Sequence, residues 1–165
     1  MDIKIEKLTP DRVEDYIYYF DHVAFTDHEE WANCYCLESH LSQEENEAMW
    51  TEKDHRREKA RELIMKGIMQ GYLVYDGDDV IGWCNAGDKT GYEPLMSNSI
   101  FETKKVGRII RDAEEEGYSY VEGYPFRDRK FEHQYHGPIP LYEKHGFQMF
   151  AERDWVCIMQ KSLQE

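Results

Sequence analysis

The sequence has a shortage of basic residues, which bears on the partners it can bind. Its 20 lysines and arginines face 34 aspartates and glutamates, and the formal net charge is −14. Proteins that bind nucleic acids need a basic surface to contact phosphates, so we expect no nucleic-acid partner. An acidic surface instead favours a cationic partner such as an amine.

Long apolar runs and a secretion signal are also absent from the sequence. No run approaches the roughly 20 apolar residues that span a bilayer, so we expect no membrane partner. The start, MDIKIEKL, is charged and has no apolar core of the kind that signal peptides carry. In a chain without such a signal, the four cysteines predict reduced thiols and not a disulfide framework. These features predict a cytoplasmic protein.

The sequence does contain enough apolar material for a folded core. Hydrophobic residues make up 41% of the 165 residues and aromatic residues 14%, which is typical of a globular protein. We find no internal repeat, low-complexity tract or interdomain linker. The prediction is one domain that spans residues 1–165.

The first half of the chain predicts a strand, helices and a hairpin. Ile3 and Ile5 alternate with charged residues as in a half-exposed strand, residues 13–25 have helical spacing, and residues 42–66 are charge-rich and helical. In YLVYDGDDVIGWCNAG, two apolar runs flank an Asp-Gly turn. Asp-Gly between such runs is a strong sign of a β-hairpin.

The second half predicts a helix, a strand, a further helix and two final strands. The helix spans residues 106–116 and stops at Gly117, and the strand covers residues 118–124. Pro140 suits the first turn of the next helix and Gly146 its end. Strands on either side of Glu152-Arg153-Asp154 complete an α/β or α+β domain with a mixed sheet, covered by helices on both faces.

Three motifs in this order resemble the GNAT superfamily of acyl-CoA-dependent N-acetyltransferases. YLVYDGDDVIGWCNAG is similar to the family's paired second and third strands. AEEEGYSYVEGYP is similar to the end of its third helix and its fifth strand, and LYEKHGFQMF to its fourth helix. The resemblance runs from Ile3 to Lys161. It implies a GNAT-like central mixed sheet with helices on both faces and acetyl-CoA as cosubstrate.

One segment departs from the family's pattern. The family holds the cofactor pyrophosphate in a glycine-rich loop before its third helix, where backbone N–H groups and the helix N-terminus face the phosphates. The corresponding residues here are Lys104, Lys105, Val106, Gly107 and Arg108, which contain a single glycine. Two explanations are open: a segment that relatives possess is missing, or the loop is divergent. The resemblance still makes these five residues the predicted cofactor contacts.

Two residues are the predicted catalytic pair, the first from the resemblance and the second from its place in a strand. Tyr142 stands where the family's fourth helix offers a tyrosine to the thioester sulfur, so it is the predicted acid that protonates the departing thiolate. Glu122 lies in a strand among aromatic residues and is the predicted base that takes a proton from the amine. A packed tyrosine and a solvent-facing carboxylate are the structural alternatives. His133 and His136 are alternative bases, because histidine titrates near neutrality.

Aromatic residues supply the predicted acceptor pocket. Trp31, Tyr35, Trp83 and Tyr124 are predicted to line a substrate site, although they would serve equally well in a core. Cys34 and Cys36 have histidines nearby, but a Cys-x-Cys spacing is not that of a zinc site, so we predict no metal.

The sequence therefore predicts an N-acetyltransferase whose acceptor is a small amine or an amino terminus, with a homodimer possible because the family often forms dimers. The alternative is a non-catalytic GNAT-like domain that binds a ligand or partner after losing its pyrophosphate loop. A third, weaker alternative is a small metal-binding module around Cys34 and Cys36. Contact between residues 104–107 and the cofactor phosphates would distinguish the N-acetyltransferase from the non-catalytic domain.

Overall fold

A computed structural model gives the fold of residues 2–26, 28–88, 106–128 and 136–164, which belong to two compact units, residues 1–97 and 98–165. The prediction of one domain over the whole chain stays a prediction. The strands in these ranges are β1 (Ile3–Lys7), β2 (Gly71–Asp76), β3 (Asp79–Asn85), β4 (Tyr120–Gly123), β5 (Gln148–Glu152) and β6 (Cys157–Ser162). The α-helices are α1 (Val13–Tyr18), α2 (Gln43–Met49), α3 (Lys53–Met65), α4 (Val106–Glu115) and α5 (Ile139–Lys144).

The first unit contains a three-stranded antiparallel sheet in the order β1-β2-β3. The predicted hairpin is confirmed: Asp76 pairs with Asp79, and only Gly77 and Asp78 separate β2 from β3. Gly77 has φ of +63°, a backbone conformation that glycine adopts without the clash of a Cβ. The Asp-Gly signal in the sequence therefore marks the turn correctly.

The helices of the first unit bury their apolar residues together with one face of this sheet. α1 continues without interruption into a π-helical segment, Tyr19–Val23, so the predicted helical region of residues 13–25 is largely confirmed. Tyr16 of α1 meets Trp83 of β3 edge-on, with ring centroids 4.9 Å apart. The buried core of this unit consists of Leu8, Tyr16, Ile17, Phe20, Tyr35, Leu37, Leu41, Ala60, Leu63, Ile64, Met69, Leu73 and Val80.

The charge-rich region of residues 42–66 is helical, but it is two helices and not one. Ser42 begins α2 with a capping box: its hydroxyl accepts from the Glu45 backbone N–H, and the Glu45 carboxylate accepts from the Ser42 N–H. The chain then breaks at residues 50–52 before α3. Gly67, with φ of +68°, follows α3 as a C-terminal stop.

The second unit contains a separate antiparallel sheet in the order β4-β6-β5. Among the strands described, pairing is antiparallel in both sheets, so these strands include none of the parallel pairs that the predicted mixed sheet requires. α4 and α5 contribute Ile110 and Ile139 to a core on one face. The other buried members of this core are Tyr142, Phe147, Cys157 and Met159.

The element predictions for the second unit are confirmed with small shifts. α4 ends at Glu115, one residue before the predicted end, and Gly117 follows with φ of +81°. β4 is shorter than the predicted strand of residues 118–124. In the four ranges that the structure covers, no helix is both long and apolar enough to cross a membrane.

Candidate functional site

Strand β4 carries the predicted base, Glu122, and the predicted acid, Tyr142 of α5, packs against the other face of the same strand. Successive side chains of a strand point to opposite faces, so Glu122 and Gly123 point in opposite directions. Glu122 is opposite Gln160 of β6, and their side chains are hydrogen-bonded. Gly123 faces the other way, toward Tyr142 of α5. The predicted base and the predicted acid thus approach the same short strand from opposite sides.

The Glu122 carboxylate is held by two neighbouring side chains. The Tyr124 hydroxyl donates to its Oε2 at 2.6 Å, and the Gln160 amide Nε2 donates to its Oε1 at 3.1 Å. Each carboxylate oxygen therefore has a donor, and the half-buried side chain is fixed at both atoms. This arrangement orients the carboxylate on the face of the sheet that also carries Tyr120 by the two-residue alternation of β4.

Tyr124, predicted to line the substrate site, is a donor to Glu122. Burial, followed by the hydrogen bond to Glu122 and the negative charge there, raises the pKa of Tyr124 well above its ordinary value. The phenol therefore keeps its proton across the physiological pH range and continues to donate to the carboxylate.

Tyr142 is buried in the second core, with only 1% of its surface exposed. Its ring lies directly on Gly123: a Cβ built at that glycine would be 1.9 Å from Tyr142 Cε1. The hydroxyl donates to the backbone carbonyl of His136 at 2.6 Å. The ring also packs edge-on against Phe147, with centroids 5.4 Å apart. The phenol is thus positioned by a strand glycine, a neighbouring aromatic ring and one carbonyl.

His136 is wholly buried, which corrects the sequence-based expectation that it is an alternative base. Its Nδ1 is 3.0 Å from the carbonyl oxygen of Tyr124, and its ring stacks on Phe126 at a centroid distance of 4.2 Å. Burial lowers the pKa of His136 to about 3 despite that backbone contact. The imidazole is therefore neutral near pH 7 and does not titrate there. His133, the other alternative, lies outside the described residues.

Solved structures similar to this chain agree on its fold. The PaiA N-acetyltransferase of Thermoplasma acidophilum, solved in complex with coenzyme A, is 18% identical, covers 98% of this chain and 99% of its own, and has a TM-score of 0.52. A proposed acetyltransferase of the GNAT family from Desulfovibrio desulfuricans is 12% identical over 98% of this chain and 99% of its own, with a TM-score of 0.50. The chain has the GNAT fold. The α/β, GNAT-like class predicted from the sequence is therefore confirmed.

A third similar structure is YncA of Salmonella typhimurium, a proposed acetyltransferase solved with acetyl-CoA. It is 14% identical, covers 100% of this chain and 96% of its own, and has a TM-score of 0.50. No model of a protein family matches the sequence, and no curated protein matches it. At these identities the GNAT likeness concerns the fold.

The predicted cofactor contacts of this GNAT fold are only partly described. Lys104 and Lys105 lie outside the described residues, and Val106 and Gly107 form the first turn of α4. Arg108 donates from its Nε to Asp112 Oδ1 at 2.8 Å, one helical turn later, and 41% of its side chain is exposed. A guanidinium has five N–H donors, so this ion pair leaves Arg108 able to contact a phosphate as well. A cofactor role for Arg108 stays a prediction.

Tyr35 belongs to the core of the first unit. It is buried, its hydroxyl donates to Asp21 Oδ1 at 2.5 Å, and its carbonyl accepts from the Tyr16 hydroxyl at 2.6 Å. Asp21 also pairs with Arg57 at 3.0 Å. These contacts anchor the segment after α1, and a substrate role for Tyr35 stays a prediction.

Trp31 and Trp83 are half-buried aromatic residues of the same unit. Trp31 stacks on His28 at a centroid distance of 4.3 Å. Trp83 lies over Gly71, where a Cβ would be 2.3 Å from its ring. Both predicted substrate contacts therefore have packing partners within the unit, and their substrate roles stay predictions.

The Cys34 and Cys36 segment has a structural partner in Arg56 of α3. Arg56 is buried and donates to the carbonyls of Asn33 and Cys34, the latter at 2.9 Å, and to Asn46 Oδ1 at 2.8 Å. Among the residues that the structure covers, no group of three histidine, cysteine or acidic side chains could hold a metal ion.

Sequence reasoning missed two contributors to the site around β4. Gln160 binds Glu122 only because β6 pairs with β4 in a register that sets these two residues opposite each other. The carbonyl of His136 accepts from Tyr142, six residues later in the sequence, and a carbonyl has no residue-type signal. Gln160 could have been identified from the sequence only with a correct prediction of the strand register.

Proposed function

We propose that this protein is an N-acetyltransferase that transfers an acetyl group from acetyl-CoA to a primary amine of a small molecule or an amino terminus. The GNAT fold supports the proposal, since PaiA was solved with coenzyme A and YncA with acetyl-CoA. The observation that carries it is the placement of Tyr142, whose phenol packs on Gly123 of β4 and whose hydroxyl has a fixed acceptor. Glu122 is on the opposite face of β4, so in this proposal it takes the amine proton through water.

The reaction proceeds from the neutral amine: an ammonium ion first releases one proton to solvent, the neutral amine then loses one proton as it is acetylated, and the thiolate gains one. Acetyl-CoA supplies the acetyl group as a thioester. The amine nitrogen forms the new C–N bond as the C–S bond breaks, and Glu122 accepts the proton that the amine loses. Tyr142 donates its phenolic proton to the departing sulfur. Solvent then returns a proton to Tyr142 and removes one from Glu122, so the products are an N-acetyl amine and a thiol.

Tyr142 can perform this role from its buried position. A phenol hydroxyl rotates about its C–O bond, so in this proposal the proton that Tyr142 now donates to the His136 carbonyl turns toward the thioester sulfur when acetyl-CoA binds. An ordinary phenol has a pKa of about 10 and a thiol about 8.5, so full transfer costs only about 2 kcal/mol at equilibrium. A hydrogen bond from the phenol stabilises the developing thiolate even before the proton is fully transferred.

The acidic character of the chain suits a cationic acceptor. The formal net charge of −14 attracts ammonium groups, and Glu122 provides a carboxylate where one would bind before it loses a proton. The two donors on Glu122 keep the carboxylate aimed in one direction. We propose a primary amine as the acceptor on this basis.

A ligand-binding domain without catalysis is the second candidate. The observation in its favour is that the Tyr142 hydroxyl is buried and donates to a backbone carbonyl, which is also what a purely structural tyrosine does. Under this candidate, acetyl-CoA or an amine binds and no acetyl group moves.

An acetylation assay with Tyr142→Phe tests the proposal. Thiol release and the mass of the product are followed with acetyl-CoA and a panel of primary amines. We expect the wild-type chain to acetylate at least one amine and Tyr142→Phe to lower kcat about 100-fold. Tyr75→Phe is the matched control. It also removes a tyrosine hydroxyl that donates a hydrogen bond, in this case to Asp15 at 2.7 Å in the first unit. We expect this variant to keep full activity.

The outcomes separate the candidates. An equally active Tyr142→Phe variant would contradict the acid role. A wild-type chain that binds acetyl-CoA but acetylates none of the amines would favour the ligand-binding candidate.

A further inference from the structure

We propose that His136 is a positioning residue: its imidazole fixes the backbone carbonyl that accepts the Tyr142 hydroxyl, and so sets the direction of that hydroxyl. The catalytic consequence of this inference rests on the proposed function, whereas the orientation itself can be measured without any activity. Nothing in the resemblance to the GNAT family assigns this role to His136.

The contact to Tyr124 defines the tautomer of His136. A carbonyl oxygen accepts hydrogen bonds and never donates, so Nδ1, 3.0 Å from the Tyr124 oxygen, must carry the proton. A neutral imidazole has one ring proton, so Nε2 then carries none. The low pKa of His136 agrees with this neutral form.

A second contact fixes the plane of the ring. The imidazole stacks on Phe126 with an interplanar angle of 14°. Phe126 is itself tied to the sheet by an antiparallel bridge to Val156. The hydrogen bond to Tyr124 and this stacking restrict rotation of the side chain, and through it they restrain the backbone of His136.

The anchored backbone is the acceptor for the predicted acid. The Tyr142 hydroxyl donates to the His136 carbonyl at 2.6 Å in a buried setting. A displaced carbonyl would leave that hydroxyl to find another acceptor, and the phenol would point elsewhere. His136 thus acts on Tyr142 through its own main chain.

The same residue connects the acid to the base. Glu122 accepts from the Tyr124 hydroxyl, the Tyr124 carbonyl accepts from His136, and the His136 carbonyl accepts from Tyr142. This series of hydrogen bonds passes around β4 from one face to the other. A shift of His136 would therefore disturb the placement of Tyr142 and the end of the strand that carries Glu122.

Two substitutions distinguish the effect of the hydrogen bond from His136 to Tyr124 from the effect of ring stacking on Phe126. His136→Asn keeps an N–H donor close to the position of Nδ1 but loses the ring, whereas His136→Phe keeps a ring on Phe126 but loses the donor. The direction of the Tyr142 hydroxyl is followed by NMR, from the ¹³Cζ shift and the exchange rate of the hydroxyl proton. We expect His136→Asn to keep the wild-type signals and His136→Phe to change the shift and accelerate exchange.

The tautomer is measured on the wild-type chain, so the test stands even if a variant fails to fold. The ¹⁵N shifts of His136 should be those of the Nδ1–H form. An Nε2–H tautomer would overturn the proposal, and so would unchanged Tyr142 signals in a folded His136→Phe variant.

Measurements of kcat and KM test the catalytic consequence of the proposal. We expect His136→Phe to lower kcat at least about tenfold with the KM for the amine unchanged, and His136→Asn to recover most of that loss. His55→Asn, at an exposed position of α3, is the control and should match the wild type. A wild-type chain without any acetylation would reject the proposed function, and the NMR comparison would still decide whether His136 orients Tyr142.

Discussion

Gly123 illustrates how a single residue without a side chain sets the geometry of the candidate site. The Tyr142 ring occupies the space where a side chain of Gly123 would begin. Because Gly123 pairs with Met159 in the sheet, β4 cannot move away from Tyr142 without breaking its backbone hydrogen bonds to β6. The closeness of α5 to β4, and with it the position of the phenol, depends on this glycine.

Replacing Gly123 should therefore destabilise the protein. In Gly123→Ala the new methyl group would be 1.9 Å from Tyr142 Cε1, so the ring must move, and we expect a loss of about 1–3 kcal/mol in the free energy of unfolding. Gly82→Ala is the matched control, a strand glycine whose Cβ would be 3.3 Å from Val74 Cβ. Urea titration compares the two variants, and equal stability of both would contradict the close packing described for Tyr142.

His136 should leave a signature in the pH dependence of stability. Its folded pKa of about 3 lies below the ordinary value of about 6.5. Between these values the unfolded chain binds a proton that the folded chain excludes, so its contribution to stability is complete above about pH 6.5 and declines as pH falls.

Replacing His136 should therefore flatten that pH dependence. The slope of unfolding free energy between about pH 5 and pH 6.5 should be smaller in His136→Asn than in the wild type, by up to about 1.4 kcal/mol per pH unit. His55→Asn, with a side chain 74% exposed, should keep the wild-type slope. Denaturant midpoints measured across this range give the slopes. Parallel curves for His136→Asn and the wild type would show that His136 titrates normally.

At the residue scale, sequence patterns identified Tyr142 and Glu122 but not their surroundings. Tyr142 came from a resemblance that places a residue type at a given position, and Glu122 came from the alternation of side chains along a predicted strand. The roles of Gly123, Gln160 and His136 depend on strand register and on a backbone carbonyl, which no residue type reveals.

At the scale of elements, Arg56 of α3 organises the segment between α1 and α2. It is buried and donates to the carbonyls of Asn33 and Cys34, and its guanidinium lies 5.0 Å from the centroid of the Trp50 ring. These bonds satisfy main-chain groups of a segment that has little regular secondary structure. A charged residue inside α3 therefore holds the loop that contains both half-exposed cysteines.

Arg56→Met should loosen this segment. The substitution keeps an unbranched side chain but leaves two carbonyls and Asn46 without their donor, so we expect a loss of about 3 kcal/mol in stability. Lys59→Met in the same helix, whose ammonium pairs with Glu62 at the surface, should cost less than about 1 kcal/mol. Denaturant unfolding and limited proteolysis measure the two effects. Proteolysis of residues 33–50 that is no faster in Arg56→Met would contradict this role.

The elements themselves were largely predictable because local rules decide them. Gly77 marks the hairpin turn, Ser42 and Glu45 cap α2, and Gly117 follows α4 with a positive φ. The break between α2 and α3 was missed because residues 50–52, Trp-Thr-Glu, contain neither glycine nor proline. Local sequence indicates where helices can form, whereas the contact between the Arg56 guanidinium and the exposed Trp50 ring depends on the tertiary structure.

At the scale of the whole molecule, the GNAT fold was predictable from the order of motifs, since three loose patterns in a fixed sequence constrain a topology more than any one of them. The candidate site was predictable only in part. Lys104 and Lys105, the residues that bear most directly on cofactor phosphates, lie outside the described ranges, and the fold by itself does not fix an activity.

The proposed function depends most on whether the chain binds acetyl-CoA, and calorimetric titration of acetyl-CoA into the purified protein tests this most directly. We expect saturable binding with a Kd in the micromolar range, about −8 kcal/mol, and weaker binding in Arg108→Ala if that guanidinium contacts a phosphate. Heat of dilution alone, at concentrations up to about 1 mM, would contradict the central claim and leave a GNAT scaffold without its cosubstrate.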